Sequence, residues 1–156
     1  MANTYLEIKE NVLKAAMDRT QDRIAMIESA LDTARDSSND DTKSSAGDKY
    51  ETSREMIQQD INRYQLQLQE ANKDLQQLKN IASAGGEKAD LVKVGSLVKT
   101  NTGIYFIAVS IGLLKIDAAN IFVISPVSPI GKLLLGKTVG DSFSFNGVDQ
   151  RILAVH

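Results

Sequence analysis

Between residues 3 and 36 apolar side chains return every three or four positions, at Leu6, Leu13, Met17, Ile24, Ile27, Leu31 and Ala34, with Glu10 and Thr20 as polar interruptions. Residues 49–82 repeat the pattern more cleanly, through Tyr50, Ile57, Ile61, Tyr64, Leu68, Ala71, Leu75, Leu78 and Ala82, with only Arg54 out of character. Such steps gather the apolar side chains on one narrow helical seam, as a coiled-coil partner requires, and leave polar residues on the other faces. Each predicted helix is about 34 residues long, or ~50 Å at the helical rise. Between them, Asp36 to Gly47 reads DSSNDDTKSSAG, a polar and turn-forming stretch. Neither helix holds alone in water without burying its seam. Equal lengths about one short polar break predict an antiparallel hairpin over residues 1–84, with its tip near 37–47 and each chain folding on itself as a monomer. A straight rod of two chains is the alternative.

At Ser83 the period changes. SAGGEKAD, residues 83–90, ends the second helix, with Gly85 and Gly86 supplying C-cap geometry and a hinge. Beyond it, Leu97–Thr100, the turn Asn101-Thr102-Gly103 and Ile104–Val109 read as strand, turn and strand. Ile121–Ile124 is a short apolar run expected to be a buried strand. Ser128-Pro129 marks a helix start, a hydroxyl at the cap followed by a ring whose missing N–H is not needed in the first turn. Gly136 ends that helix. Phe143 and Phe145 alternate with serines, Asn146-Gly147 offers a hairpin turn, and Gln150–Val155 is the last strand. The fold class expected is α+β: the coiled-coil hairpin, then a domain over 90–156 made of an antiparallel sheet and one short helix.

Charge and composition narrow the function. The net charge of −2 divides into 12 Lys+Arg against 16 Asp+Glu in residues 1–89, and 6 against 4 in residues 90–156. No basic block stands ready to neutralise a phosphate backbone, which argues against sequence-specific DNA binding. Cysteine is absent, removing disulfides, thiolate metal sites and a cysteine nucleophile together. No basic, then apolar, leader opens the chain, and no run is long enough to span a bilayer, so a cytoplasmic protein is expected. His156, the single histidine, is the last residue and a poor candidate for catalysis. Gly136-Lys137-Thr138 lacks the glycine spacing of a phosphate loop.

Ser125 to Gly147, SPVSPIGKLLLGKTVGDSFSFNG, resembles the C-terminal signature of the Gre factors, bacterial transcription elongation factors of the GreA/GreB type. Its elements are Ser128, Pro129 and Ile130 leading into a short helix, then Gly136-Lys137, then Gly140-Asp141 before the next strand. The order of parts is similar too, since that family joins an N-terminal coiled-coil hairpin to a C-terminal FKBP-like sheet domain. The resemblance implies a non-enzymatic regulator that docks on RNA polymerase through the sheet domain and inserts its hairpin into the secondary channel. Ser128, Pro129, Ile130 and Lys132 are then the docking-motif candidates. It also implies acidic residues at the hairpin tip that share the polymerase's catalytic Mg²⁺ and stimulate cleavage of backtracked RNA. Mg²⁺ is a hard cation that prefers carboxylates and keeps several waters, so such residues complete a shell without forming a metal site of their own.

The chain departs from the family at that tip. The family carries Asp and Glu three residues apart shortly before an aromatic residue and the second helix. With Tyr50 in the aromatic place, the matching positions are Gly47 and Ser44, neither acidic. The tip candidates are instead Asp40, Asp41, Asp48, Tyr50 and Glu51, with Asp40 and Asp41 the pair expected to reach the polymerase-held Mg²⁺. Against this, Asn39-Asp40-Asp41-Thr42 also suits a solvated turn, and Asp48 with Glu51 suits a cap on the second helix. A hairpin without the acidic pair would block the channel and inhibit. Two other classes compete: a coiled-coil adaptor unrelated to transcription, and a prolyl isomerase. The isomerase needs an aromatic pocket, for which Tyr105, Phe106, Phe122, Phe143 and Phe145 are available, several of them spaced as core.

Overall fold

The computed structural model describes residues 2–41, 47–84 and 90–156, with side chains described for 4–38, 51–84 and 90–156. The elements in order are α1 (Ala2–Asp41), α2 (Gly47–Ala84), β1 (Leu97–Thr100), β2 (Ile104–Ile107), β3 (Gly112–Ile116), β4 (Ala119–Ile124), α3 (Pro129–Leu134), β5 (Ser142–Phe145) and β6 (Val148–Val155). They form two compact units: Arg19–Leu75, and Met1–Asp18 together with Gln76–His156.

The first unit is the helical hairpin. Ile27 and Leu31 of α1 and Ile61 and Ala71 of α2 are buried, with Ile57, Tyr64 and Leu68 half-buried along the same seam. Arg23 Nη1 meets Asp74 Oδ2 at 3.2 Å, linking the start of this stretch of α1 to the end of the α2 stretch, as an antiparallel pair requires. Both partners are partly solvated, so the bridge contributes at most about 1 kcal/mol; the apolar seam holds the pair. Thr20, expected as an interruption, is 3% exposed and belongs to the seam.

At the tip, helix runs further than the polar composition suggests. The backbone is helical through Asp41 and again from Gly47, so only residues 42–46 of the expected break lie outside the described residues. Once a seam has nucleated a helix, each added residue gains a hydrogen bond at little further entropic cost, and a few weak helix formers are carried along. Asp48 consequently lies inside α2, one residue past its start, and not at the cap position expected for it. Gly85 and Gly86, expected to cap and hinge, lie outside the described residues.

The second unit is built around a six-stranded sheet of order β3-β4-β2-β1-β6-β5. All pairings are antiparallel except β2 with β4, where Tyr105 pairs with Phe122 and Phe106 with Val123 in parallel. The sheet is therefore mixed, where an antiparallel one was expected. The difference arises from β3, which the sequence did not disclose. It takes the outer place, and the chain turns back at Asp117 (φ 54°) to lay β4 between β3 and β2. Asp tolerates this left-handed backbone, but without a following glycine the turn has no hairpin signature. The last hairpin does carry one: Asn146 and Gly147 have φ of 53° and 77°, the two left-handed residues of a type I′ turn.

Both faces of the sheet are covered. On one, Leu97, Phe106, Leu114, Ile121 and Val123 share a core with Val12 and Ala16 of α1 and Leu78 of α2. On the other, Val98, Tyr105, Ile107, Phe143 and Ile152 pack with Ile130 and Leu134 of α3. Burial on both faces explains why β2 reads as a continuous apolar run. The helix bases thus belong to the globular unit. Their packing also moves the α1 seam, since Val12 and Ala16 are fully buried while Leu6, expected inside, is 53% exposed.

Candidate functional site

The segment that carries the resemblance, Ser125 to Gly147, is held together by its own polar groups. Ser128 has extended backbone geometry, and its Oγ accepts from Gly131 N at 3.1 Å while donating to Ser125 O at 2.6 Å. Pro129 fills the first helical position, where its fixed φ suits the helix and its missing N–H leaves nothing unpaired. Gly136 (φ 82°) takes the chain out of the helix, and its N–H donates to Val92 O at 2.9 Å. Asp141 Oδ2 accepts from Thr138 N at 2.9 Å and closes the turn in which Gly140 has φ of 93°. The turn is then tied to β6, where Gly140 N donates to Ile152 O and Ile152 N to Asp141 O, both at 2.9 Å. Replacing Ser128 by Ala removes a cap with two roles, and a loss of about 1 kcal/mol is expected by urea denaturation.

Gly131 was not singled out from the sequence, yet it has the least room of the described glycines. A Cβ there would fall 2.2 Å from Ser125 O and 3.1 Å from Pro126 C, both backbone atoms. The close approach is what lets the 125–128 turn lie against α3. No periodicity could have disclosed it, because the demand comes from the tertiary path of the turn.

The four docking-motif residues divide. Pro129 and Lys132 are exposed and Ser128 is half-buried. Ile130 is 8% exposed and packs in the core beneath α3, so it serves the fold and offers no contact surface. Exposed apolar side chains nearby come from elsewhere. Leu113 and Phe122 face each other across β3 and β4 at 52% and 40% exposure. The Phe122 ring stacks on Tyr105 at 5.7 Å, which places it on the sheet face that carries α3. Val127, ahead of α3, and Leu133 and Leu135, at its end, are exposed as well. Tyr105 OH donates to Gln150 Oε1 at 3.1 Å beside Thr100, a satisfied polar cluster under this face.

Of the tip candidates, Glu51 is exposed on α2. Asp40, Asp41, Asp48 and Tyr50 lie on helical backbone, but their side chains fall outside the described residues. Among the described residues, no three His, Cys, Asp or Glu side chains gather as a metal site would need. Nor is any helix among them long and apolar enough to cross a membrane.

One titrating group in the globular unit is displaced. Burial, and then the neighbouring Lys93 ammonium, hold Lys9 below the usual lysine value of 10.5. The unfolded chain therefore keeps this proton to higher pH than the folded chain does, and folding gains stability as pH rises through that window. Lys9→Gln should accordingly raise the urea midpoint most near neutral pH. The advantage should shrink steadily as the pH approaches the unfolded value.

No family model and no curated protein matches the chain. Among solved structures, that of the transcription factor Gfh1 is similar to it at 21% identity, over 92% of this chain and 94% of that chain, with a TM-score of 0.34.

Proposed function

We propose that this chain is a Gre-type transcription regulator that binds RNA polymerase through its sheet unit and places its helical hairpin in the secondary channel. The observation that carries the reading is the built form of the Ser125–Gly147 segment. Ser128 caps, Pro129 opens the helix, Gly136 ends it and Gly140-Asp141 turns into β5, each in the role its place in the family signature implies. An antiparallel α1–α2 hairpin precedes it, as in the family's plan. The surface assigned to polymerase is the sheet face beside α3. Leu113, Phe122, Val127 and Pro129 are exposed there or next to it, apolar side chains of the kind that mark interaction sites when contiguous, and the Lys132 cation is exposed beside them.

Asp40 and Asp41 are the carboxylates assigned to the polymerase's Mg²⁺. The chemistry would remain the polymerase's, with the chain supplying oxygen ligands to a cation it does not hold alone. The departure from the family at Ser44 and Gly47 favours a second reading, in which the hairpin occupies the channel without assisting cleavage. Transcript cleavage on a backtracked complex separates them. Faster cleavage with bound protein supports the metal-assisting tip, whereas unchanged or slower cleavage with bound protein supports the blocker. Absence of binding overturns both.

A further inference from the structure

The sheet face that carries α3 is not wholly covered by it. Leu113 of β3, Phe122 of β4 and Val148 of β6 are exposed on that face, with the exposed Lys115 ammonium at its margin. Gln150, two residues from Val148 on the same side of β6, is only 6% exposed. Its side-chain oxygen accepts from Thr100 Oγ1 at 3.0 Å and from Tyr105 OH at 3.1 Å. Tyr105 OH has no other acceptor among the described residues, so the hydroxyl donates and the amide turns its oxygen inward. The NH₂ end is then without a protein partner among the described residues. No buried side-chain nitrogen or oxygen among them is unpaired, so this end opens to the surface. A donor fixed by two hydroxyls thus stands within an apolar strip.

We propose that this strip takes an extended polypeptide segment of RNA polymerase, one of whose backbone carbonyls accepts from Gln150 Nε2 while an apolar side chain packs on the Phe122 ring. The inference rests on the polymerase reading above and names the chemistry of its contact. The unpaired group is a neutral donor, which a neutral carbonyl matches. A phosphate chain would call for converging cations, and of the strip's side chains named here only Lys115, at the margin, is charged. The Tyr105 ring lies against Phe122 with 5.7 Å between centroids and is pinned by its own hydroxyl bond. The aromatic surface is therefore already ordered, and little side-chain freedom is lost when a partner lands on it. A segment that covered Gln150 without offering an acceptor would leave the NH₂ buried and unpaired, so the amide selects among apolar partners.

Binding of the full chain to bacterial RNA polymerase, measured by fluorescence anisotropy at fixed ionic strength, tests this with three variants. Gln150→Glu keeps the oxygen used by Thr100 and Tyr105 but puts a second acceptor where the NH₂ was, opposite the partner's carbonyl. Affinity should fall at least about tenfold. Phe122→Ala removes an exposed ring and should also weaken binding about tenfold, as loss of an aromatic anchor does. Leu153 is exposed too, but it follows the buried Ile152 on β6 and points to the other face, so Leu153→Ala should bind as the wild type does. The urea midpoint of Gln150→Glu shows whether its fold holds, and Phe122→Ala carries the test if it does not. Wild-type affinity in either Gln150→Glu or Phe122→Ala, with the wild type itself bound, would overturn the inference and leave the polymerase reading intact. An equal loss in Leu153→Ala would overturn it as well, since the effect would not belong to this face. A wild type that does not bind polymerase would remove reading and inference together.

Discussion

Gly131→Ala should destabilise the protein by about 3 kcal/mol, at the upper end for overpacking, because the obstacle is backbone and has no side chain to swing aside. The added Cβ would lie 2.2 Å from Ser125 O and 2.9 Å from Ser128 Oγ, striking the cap and the turn it closes together. Either α3 moves off the sheet, exposing Ile130 and Leu134, or the 125–128 turn opens and the cap is lost. Gly103→Ala is the control. Its Cβ would meet only the Phe122 ring, at 3.8 Å, and no left-handed φ is required there. Its urea midpoint should change by the equivalent of no more than about 0.5 kcal/mol. Similar midpoints for the two variants would mean that α3 does not sit as close to Ser125 as described.

The second large effect is expected on activity and not on stability. Asp40→Asn combined with Asp41→Asn removes two charges while keeping shape and much of the local hydrogen bonding. If these carboxylates complete the polymerase's Mg²⁺ shell, stimulated transcript cleavage should fall by more than about 10–100-fold, the range for groups that only orient a metal's ligands from outside its shell. Binding to polymerase should persist, because the docking surface we propose lies in the other compact unit. Unchanged cleavage would remove Asp40 and Asp41 from the chemistry and leave the hairpin as a channel occupant.

Local signals were the legible ones. Ser128-Pro129, Gly136 and Asn146-Gly147 announced a cap, a stop and a turn, and each is found where the chemistry of the residue placed it. The α2 seam was readable because in most of its length one partner helix decides which side is buried. The base of α1 was not, because there the sheet competes for the same helix and draws Val12 and Ala16 inside in place of Leu6. Strand β3 was hidden for another reason. Its turn relies on a non-glycine residue at positive φ, and Leu113 and Leu114 face opposite sides of an edge, so the segment shows neither a turn signature nor a full alternation. Gly131 was hidden because its demand comes from the turn at Ser125 and Pro126 folding back onto α3, a close approach that the hydrophobic pattern does not encode. Ile130 shows that a place in a recognisable motif does not imply exposure, since it is 8% exposed and packs in the core beneath α3.

The central claim, a hairpin lodged in the polymerase secondary channel, is tested most directly by crosslinking from a known point on the hairpin. Glu51 is exposed near the start of α2, so a photo-reactive amino acid there samples what surrounds the tip. In a complex with bacterial RNA polymerase, crosslinks from position 51 should map to the channel lining, while crosslinks from Lys132 on α3 should map to the channel's outer rim. Position-51 crosslinks confined to the outer surface of polymerase, or a chain that does not co-elute with polymerase at all, would contradict the account.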